Sequence, residues 1–398
     1  MDFRIDAEVE QLVGRIRAFV DERLVPLEPR LLEQGIGPLL PEIRALRSEV
    51  RKLGLWAPNF PREYGGLGLD LVAHGLVSEA LGRCPLGHYV FGCNAPDAGN
   101  VELLHLYGSE AQKATWLAPL ARGEIRSCFG MTERENSGAN PLMLEARAEL
   151  EGDQWVLNGR KWFTTGADGA SLCIAMVITD PEAPPHQRAS MILVPASTPG
   201  YRLERNTPIM GHAGQDLFSH GEIAFEDCRV PAGNLLGPRG EGFRLAQARL
   251  GPGRIHHCMR WLGICQRALE LLIDRASSRQ VSPEGRTLAH SDIIRAWIAE
   301  SAAEMQAARL MVLHTAWRIE HAGARAARDD VSMIKFFVAK VLERVVDRAL
   351  QVHGGLGMTD YTVLAWYYRE ERAARIYDGP DEVHKLSVAR RLIGARGR

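Results

Sequence analysis

A carboxylate presented on a tight turn between two helices is well placed to remove a proton, and Ile376-Tyr377-Asp378-Gly379-Pro380-Asp381-Glu382-Val383-His384 presents one at Asp378. Gly379 permits the turn, Pro380 suits the first position of the next helix, and Asp381 and Glu382 complement that helix's positive N-terminal end. Arg390 and Arg391 are expected to close the same helix, as the dipole prefers. An Asp before a Gly is also an ordinary turn former, so the chemical reading of Asp378 depends on its surroundings. Upstream, Gln351-Val352-His353-Gly354-Gly355-Leu356-Gly357 ends a long amphipathic pattern with glycines that let backbone approach a ligand closely, without GxGxxG spacing.

The elements that must position these residues follow from periodicity. From Ala7 to about Arg122 the pattern is mostly helical, and Pro26 is expected to end the first segment. Residues 127–236 carry short runs of strand propensity, and after Gly242 helical stretches are expected over 243–279, 293–322 and 331–352. Asn158-Gly159 reads as a type I′ hairpin turn between Trp155-Val156-Leu157 and Arg160-Lys161-Trp162-Phe163, which puts Trp162 and Thr164 on one face and Phe163 and Thr165 on the other. The expected division is an N-terminal helical domain over 1–125, a β-domain over 126–238 and a helical bundle over 239–398.

Composition bounds the function. The 398 residues are 46% apolar, with 48 basic against 49 acidic side chains, as in an ordinary soluble protein of two or three domains. That balance, and the lack of any long Lys/Arg run, argue against nucleic acid or an anionic membrane as principal partner. The stretch Met1–Asp6 has no apolar signal region and no apolar run is long enough to span a bilayer, so a cytoplasmic location is expected. The seven cysteines are scattered and form no C-x-x-C pair, which points to buried thiols rather than disulfides or a metal site.

Together the Gln-x-x-Gly-Gly helix end and the Tyr377-Asp378-Gly379 turn resemble the C-terminal signature of the acyl-CoA dehydrogenase superfamily. Pro61-Arg62-Glu63-Tyr64-Gly65-Gly66-Leu67-Gly68 adds to the likeness, which covers nearly the whole chain. It implies an α+β multidomain fold with an N-terminal helical domain, a central β-barrel or sandwich domain and a C-terminal four-helix bundle. It also implies FAD as cofactor, an acyl-CoA substrate, and a homodimer or homotetramer.

By this resemblance Asp378 stands in for the family's Glu base, and its backbone N–H helps a flavin ribityl hydroxyl to stabilise the enolate oxygen. Cys128-Phe129-Gly130-Met131-Thr132-Glu133 resembles the strand motif in which Met131 and Thr132 would bond the pyrimidine end of the flavin. Trp162-Phe163-Thr164-Thr165-Gly166 resembles Trp-Ile-Thr-Asn-Gly, with Trp162 over the flavin and Thr164 at N5. Arg279, Gln351, Gly354 and Gly355 correspond to a dinucleotide site shared between subunits, Pro380 and Glu382 to further cofactor contacts, and Asn94, Ala139 and Gly379 to substrate contacts. The loop Arg134-Glu135-Asn136-Ser137-Gly138-Ala139-Asn140 departs from the family in lacking its Pro and Asp.

Ala248-Arg249-Leu250-Gly251-Pro252-Gly253-Arg254-Ile255-His256-His257-Cys258-Met259-Arg260 is similar to the subfamily of acyl-CoA dehydrogenase members ten and eleven and their bacterial relatives. That likeness implies a 4-phosphoacyl-CoA derived from a 4-hydroxy acid, electron-transfer flavoprotein as acceptor, and a separate hydroxyacyl kinase. Arg254 with His256 or His257 would be the cationic group for the dianion. No metal is expected, because adjacent helical residues point about 100° apart and no third ligand suggests itself. Alternative readings are a straight-chain acyl-CoA dehydrogenase, a nitroalkane oxidase-like flavoenzyme, which also uses an Asp base, and a non-catalytic DNA-binding flavoprotein, which would need a basic surface.

Overall fold

The structure is a computed structural model that describes residues 4–396, so Met1–Phe3 lie outside the described residues. Its longer helices, in chain order, are α1 (Ala7–Phe19), α2 (Leu40–Lys52), α3 (Leu71–Leu81), α4 (Asp97–Tyr107), α5 (Gly242–Ser278), α6 (Asp292–Ala322), α7 (Arg328–His353), α8 (Leu364–Glu371) and α9 (Asp381–Arg396). The strands are β1 (Ser127–Gly130), β2 (Arg147–Glu151), β3 (Gln154–Thr165), β4 (Leu172–Ile178), β5 (Ala189–Pro195), β6 (Tyr201–Asn206), β7 (His220–Pro231) and β8 (Leu235–Leu236). By contact the chain forms two compact units that interleave in sequence. One holds Met1–Gln34, Leu69–His88 and Gly251–Arg398, and the other Gly35–Gly68 and Tyr89–Leu250.

The first unit is helical around one apolar core. Trp261 and Leu262 of α5, Val312 of α6, Tyr367 of α8 and the stripe Ile334, Val338, Val341, Val345 and Ala349 of α7 are all buried there. That stripe recurs at three- and four-residue steps, as a core-facing helix requires. The long helices match their expected spans to within a few residues, but two expected ends are wrong. Pro26 does not stop the first segment: the chain continues through Val20–Leu24 and Val25–Leu27 into the helix Glu28–Gln34. Pro26 occupies the first turn of Val25–Leu27, where a missing N–H costs nothing. Helix α9 runs past Arg390 and Arg391 to Arg396, and Arg391 pairs with Asp329 of α7.

The second unit carries an eight-stranded sheet of order β6-β7-β3-β2-β4-β5-β8, with β1 beside β4 in parallel. Ile192 and Val194 from one end of this path and Ile223 and Phe225 from the other share a single core, so the sheet wraps over itself. The hairpin expected at Asn158-Gly159 is not there. β3 runs unbroken through it, with a register shift against β7 between Leu157 and Gly159. Gly159 lies at φ 135°, and a Cβ on it would meet the Ala146 Cα at 2.6 Å, so the glycine serves close backbone approach at a bulge. The actual turn between β2 and β3 lies around Gly152, at φ 62°.

Candidate active site

Asp378 sits at φ 53° and Gly379 at φ 97°, so two successive left-handed residues form the turn ahead of α9. Asp tolerates that region better than most side chains, and Gly379 is required, since a Cβ there would meet His384 Nε2 at 2.8 Å. Pro380 precedes the first helical residue, and its carbonyl accepts from the Val383 and His384 N–H groups, one position earlier than expected.

The turn is tied down on both sides of the carboxylate. Arg254 of α5 donates from Nε and Nη2 to the Asp378 carbonyl at 3.2 and 3.1 Å, and His384 Nε2 donates to the same oxygen at 3.0 Å. A carbonyl only accepts, so His384 carries its proton on Nε2, and burial pulls its pKa down to about 4. Immediately before the base, the Tyr377 hydroxyl takes hydrogen bonds from Arg260 Nη2 and Trp261 Nε1, each 3.0 Å. Arg260 is in turn paired with Glu371 of α8.

Behind the turn, Asp381 is fully buried rather than a solvated first-turn acid. Its carboxylate takes a bond from Arg375 at 3.0 Å and lies 3.7 Å from the Lys335 ammonium of α7, itself 1% exposed. Burial lowers the Lys335 pKa, and the charges of Asp381 and then Asp378 oppose that shift.

Of the two adjacent histidines, only His257 reaches the carboxylate. Its Nε2 lies 3.4 Å from Asp378 Oδ2, whereas His256 turns toward α3, its ring centroid 3.8 Å from that of His74. Arg254, which was expected to serve a substrate dianion, spends two of its nitrogens on the Asp378 carbonyl. Among the described residues no cluster of His, Cys, Asp and Glu could hold a metal ion.

The strand unit places a second set of expected residues. Met131, Thr132 and Glu133 follow β1, and Trp162 N–H donates to the Thr132 carbonyl at 2.8 Å. Lys161, missed in the sequence, fixes this pairing: its fully buried ammonium bonds the Met131 carbonyl at 3.1 Å and Glu133 at 2.7 Å. Glu133 also accepts the Glu145 and Ala146 N–H groups. Phe163 lies at φ 52° and the register shifts between Lys161 and Thr164, so the expected two-face alternation is interrupted. Phe163 is 41% exposed and Thr164 is fully buried. Thr164 Oγ1 and Trp162 Nε1 are buried without a hydrogen-bond partner.

Asn94 is nearly buried and donates to Asp97, while Ala139 is on an exposed loop next to a small cavity lined by Met131, Thr132, Asn136 and Ser137. Arg279, just past the end of α5, Gln351, Gly354 and Gly355 at the end of α7, and Glu382 in the first turn of α9 are exposed. None of these joins the groups around Asp378 by a hydrogen bond or ion pair described above.

Comparison with known proteins gives this arrangement its class. Family models for the N-terminal, middle and C-terminal domains of acyl-CoA dehydrogenases match residues 6–124, 128–228 and 240–393. The Mycobacterium tuberculosis protein named "Probable acyl-CoA dehydrogenase FadE2" is 41% identical over 98% of this chain and 96% of its own length. "Acyl-CoA dehydrogenase family member 11" of Rattus norvegicus is 38% identical over 96% of this chain, which spans only 50% of that relative. A solved structure from Mycobacterium abscessus, 38% identical, superposes with a TM-score of 0.94 and covers 99% of this chain and 100% of its own. The chain belongs to the acyl-CoA dehydrogenase family, oxidoreductases that act on CH–CH groups. No described helix is long and apolar enough to cross a membrane.

Proposed function

We propose that the chain is an FAD-dependent acyl-CoA dehydrogenase in which Asp378 removes the α-proton of an acyl thioester. The observation that carries this reading is the clamp on the base: five donors from Arg254, His384, Arg260 and Trp261 fix the backbone and the neighbouring tyrosine, and leave the carboxylate itself addressed only by His257 among the contacts described above. A group held this rigidly at its backbone pays little reorganisation when it acts.

The residues of the strand unit fit a flavin. Thr164 Oγ1 and Trp162 Nε1 are buried polar atoms with no partner among the described residues, while Lys161 holds the Met131 carbonyl and the Trp162 N–H holds that of Thr132. Met131, Thr132, Trp162 and Thr164 would hold the ring system, and the exposed Arg279, Gln351, Gly354 and Gly355, with Pro380 and Glu382, the dinucleotide end in a homo-oligomer. Bound there, FAD would supply the acceptor for the β-hydride, with an electron-transfer flavoprotein as the proposed recipient of the electrons.

In this reading the α-proton goes to the Asp378 carboxylate as the Cα–Cβ double bond forms, while the Asp378 N–H stabilises the enolate oxygen. Asp is one methylene shorter than Glu, so the thioester must approach closer or tilt. The proposed substrate is a 4-phosphoacyl-CoA, with Asn94, Ala139, Arg254, His256, His257 and Gly379 as its contacts and a separate kinase as its source. The likeness of the helix α5 string to family members ten and eleven supports that choice.

The test is anaerobic titration of the purified protein with 4-phosphopentanoyl-CoA, pentanoyl-CoA and nitroethane, repeated on Asp378→Asn. Bleaching of a bound flavin by a thioester, lost in the variant, is expected. Bleaching by nitroethane alone, or purification without any flavin, would overturn the reading.

A further inference from the structure

We propose that His257 is the positioning residue of the base: its imidazole holds one carboxylate oxygen of Asp378, so that the other faces the α-carbon of the thioester. The proposal rests on the reading that Asp378 removes an α-proton, and it assigns His257 to the base rather than to the substrate.

A firm backbone does not by itself aim a carboxylate. The turn and its donors fix the Asp378 Cα and carbonyl, yet the side chain keeps two torsions, and the terminal one of an Asp is broad and nearly two-fold. Either oxygen could then face the substrate, or neither. A contact on one oxygen removes that freedom. Among the described residues His257 makes it, with Nε2 3.4 Å from Oδ2 and the two side chains 23% and 19% exposed. The nearby cations are engaged otherwise: Arg254 donates to the Asp378 carbonyl, and Lys335 lies against Asp381. An Asp has less reach than a Glu, so the direction of its oxygens weighs more. A misplacement of about 1 Å can cost about 100-fold in rate.

The imidazole is itself held. Trp261, one turn further along α5 and almost fully buried, lies nearly parallel to it at 24°, with ring centroids 6.1 Å apart. The Tyr377 ring is 5.2 Å away, and its hydroxyl takes the Trp261 Nε1 bond at 3.0 Å. Arg254, His257 and Trp261 recur at steps of three and four, so they share one face of the helix. That face addresses the Asp378 carbonyl, the Asp378 carboxylate and the Tyr377 hydroxyl in turn. An ionised carboxylate only accepts, so the imidazole presents Nε2–H to it, and a neutral ring suffices. The separation is long for a hydrogen bond and is expected to shorten in the thioester complex, as catalytic contacts do.

The test is anaerobic stopped-flow bleaching of the flavin-loaded wild type, His257→Phe and His257→Gln with pentanoyl-CoA and 4-phosphopentanoyl-CoA, each also 2,2-dideuterated. Phe keeps a ring beside Trp261 and Tyr377 but has no donor, whereas the Gln amide can bring an N–H close to the place of Nε2. At saturating thioester His257→Phe is expected to bleach about 10–100-fold slower, with a thioester Kd within about threefold of wild type. Its α-deuterium isotope effect should show that proton removal limits bleaching. His257→Gln should recover most of the lost rate. Should His257→Phe not fold, His257→Ala replaces it, and added imidazole should restore its rate. Bleaching of the Phe variant at the wild-type rate, equal slowing in Phe and Gln, or a loss confined to thioester Kd would overturn the role. Failure of both thioesters to bleach the wild-type protein would instead sink the reading on which it rests.

Discussion

The two regions that carry the expected chemistry are built in opposite ways. Around Asp378 the chain over-supplies donors: one carbonyl takes three hydrogen bonds and the preceding hydroxyl two, from α5 and α9. Around Thr164 the backbone is just as firmly placed, by the buried Lys161–Glu133 pair, yet the side-chain atoms Thr164 Oγ1 and Trp162 Nε1 are left without protein partners. The first region is completed by its own residues and spends them on geometry. The second leaves unpartnered the polar atoms that are proposed above to meet the flavin.

Substitutions separate the two designs. The largest effect is expected for Asp378→Asn, which should lower turnover by about 10²–10⁴-fold, the range for a general base, while flavin content stays unchanged. Lys161→Met in the strand region should act on stability instead. It strands the Glu133 carboxylate and should cost about 3–5 kcal/mol in urea unfolding, with part of the loss recovered on adding Glu133→Gln. Gly379→Ala sets a Cβ against His384 at positive φ, and should cost about 1–3 kcal/mol of thermal stability together with turnover.

The contrast is sharpest for Thr164→Val. Removing a buried hydroxyl that has no partner should leave the flavin-free protein as stable as before or slightly more so, while cofactor retention weakens on gel filtration. A loss of stability without loss of flavin would erase the distinction between the regions. The mildest effect is on acid stability. His384 and His220 titrate near 4 and His256 near 3, below the ordinary value of 6.5 that they regain on unfolding. The unfolded chain therefore binds protons that the native one refuses, and stability present above pH 6.5 should fall as the pH drops from 6.5 toward 4. Thermal melts across that window check the sign, and His384→Gln should flatten the slope.

Helix spans, the order of helical and strand segments and the turn at Asp378 were legible in the sequence because each is written in local periodicity or in neighbouring residues. What joins distant segments was not. Asn158-Gly159 has the composition of a hairpin turn, but pairing with β7 and the close approach of Ala146 decide its conformation, and neither is a local signal. Lys161 and Glu133 meet across 28 positions, and the only hint was that each adjoins a residue already singled out. Asp381 looked like a surface acid complementing a helix dipole until the buried Lys335 of α7 was placed beside it. His256 and His257 differed by nothing in sequence, and the helical rotation between them sent one to Asp378 and the other to His74.

The cysteines carry a consequence for how such a protein ages. All seven are free and buried, and burial pushes the Cys93 thiol up to about 12 and the Cys228 thiol up to about 11, far from the thiolate form that peroxide attacks. A reduced flavin meeting oxygen generates peroxide close at hand, and the sulfur it finds first is thioether: Met358 is 71% exposed, Met210 62% and Met143 48%. Oxidative wear should therefore accumulate as methionine sulfoxide, which reductases can repair, and leave the thiols of the two cores untouched.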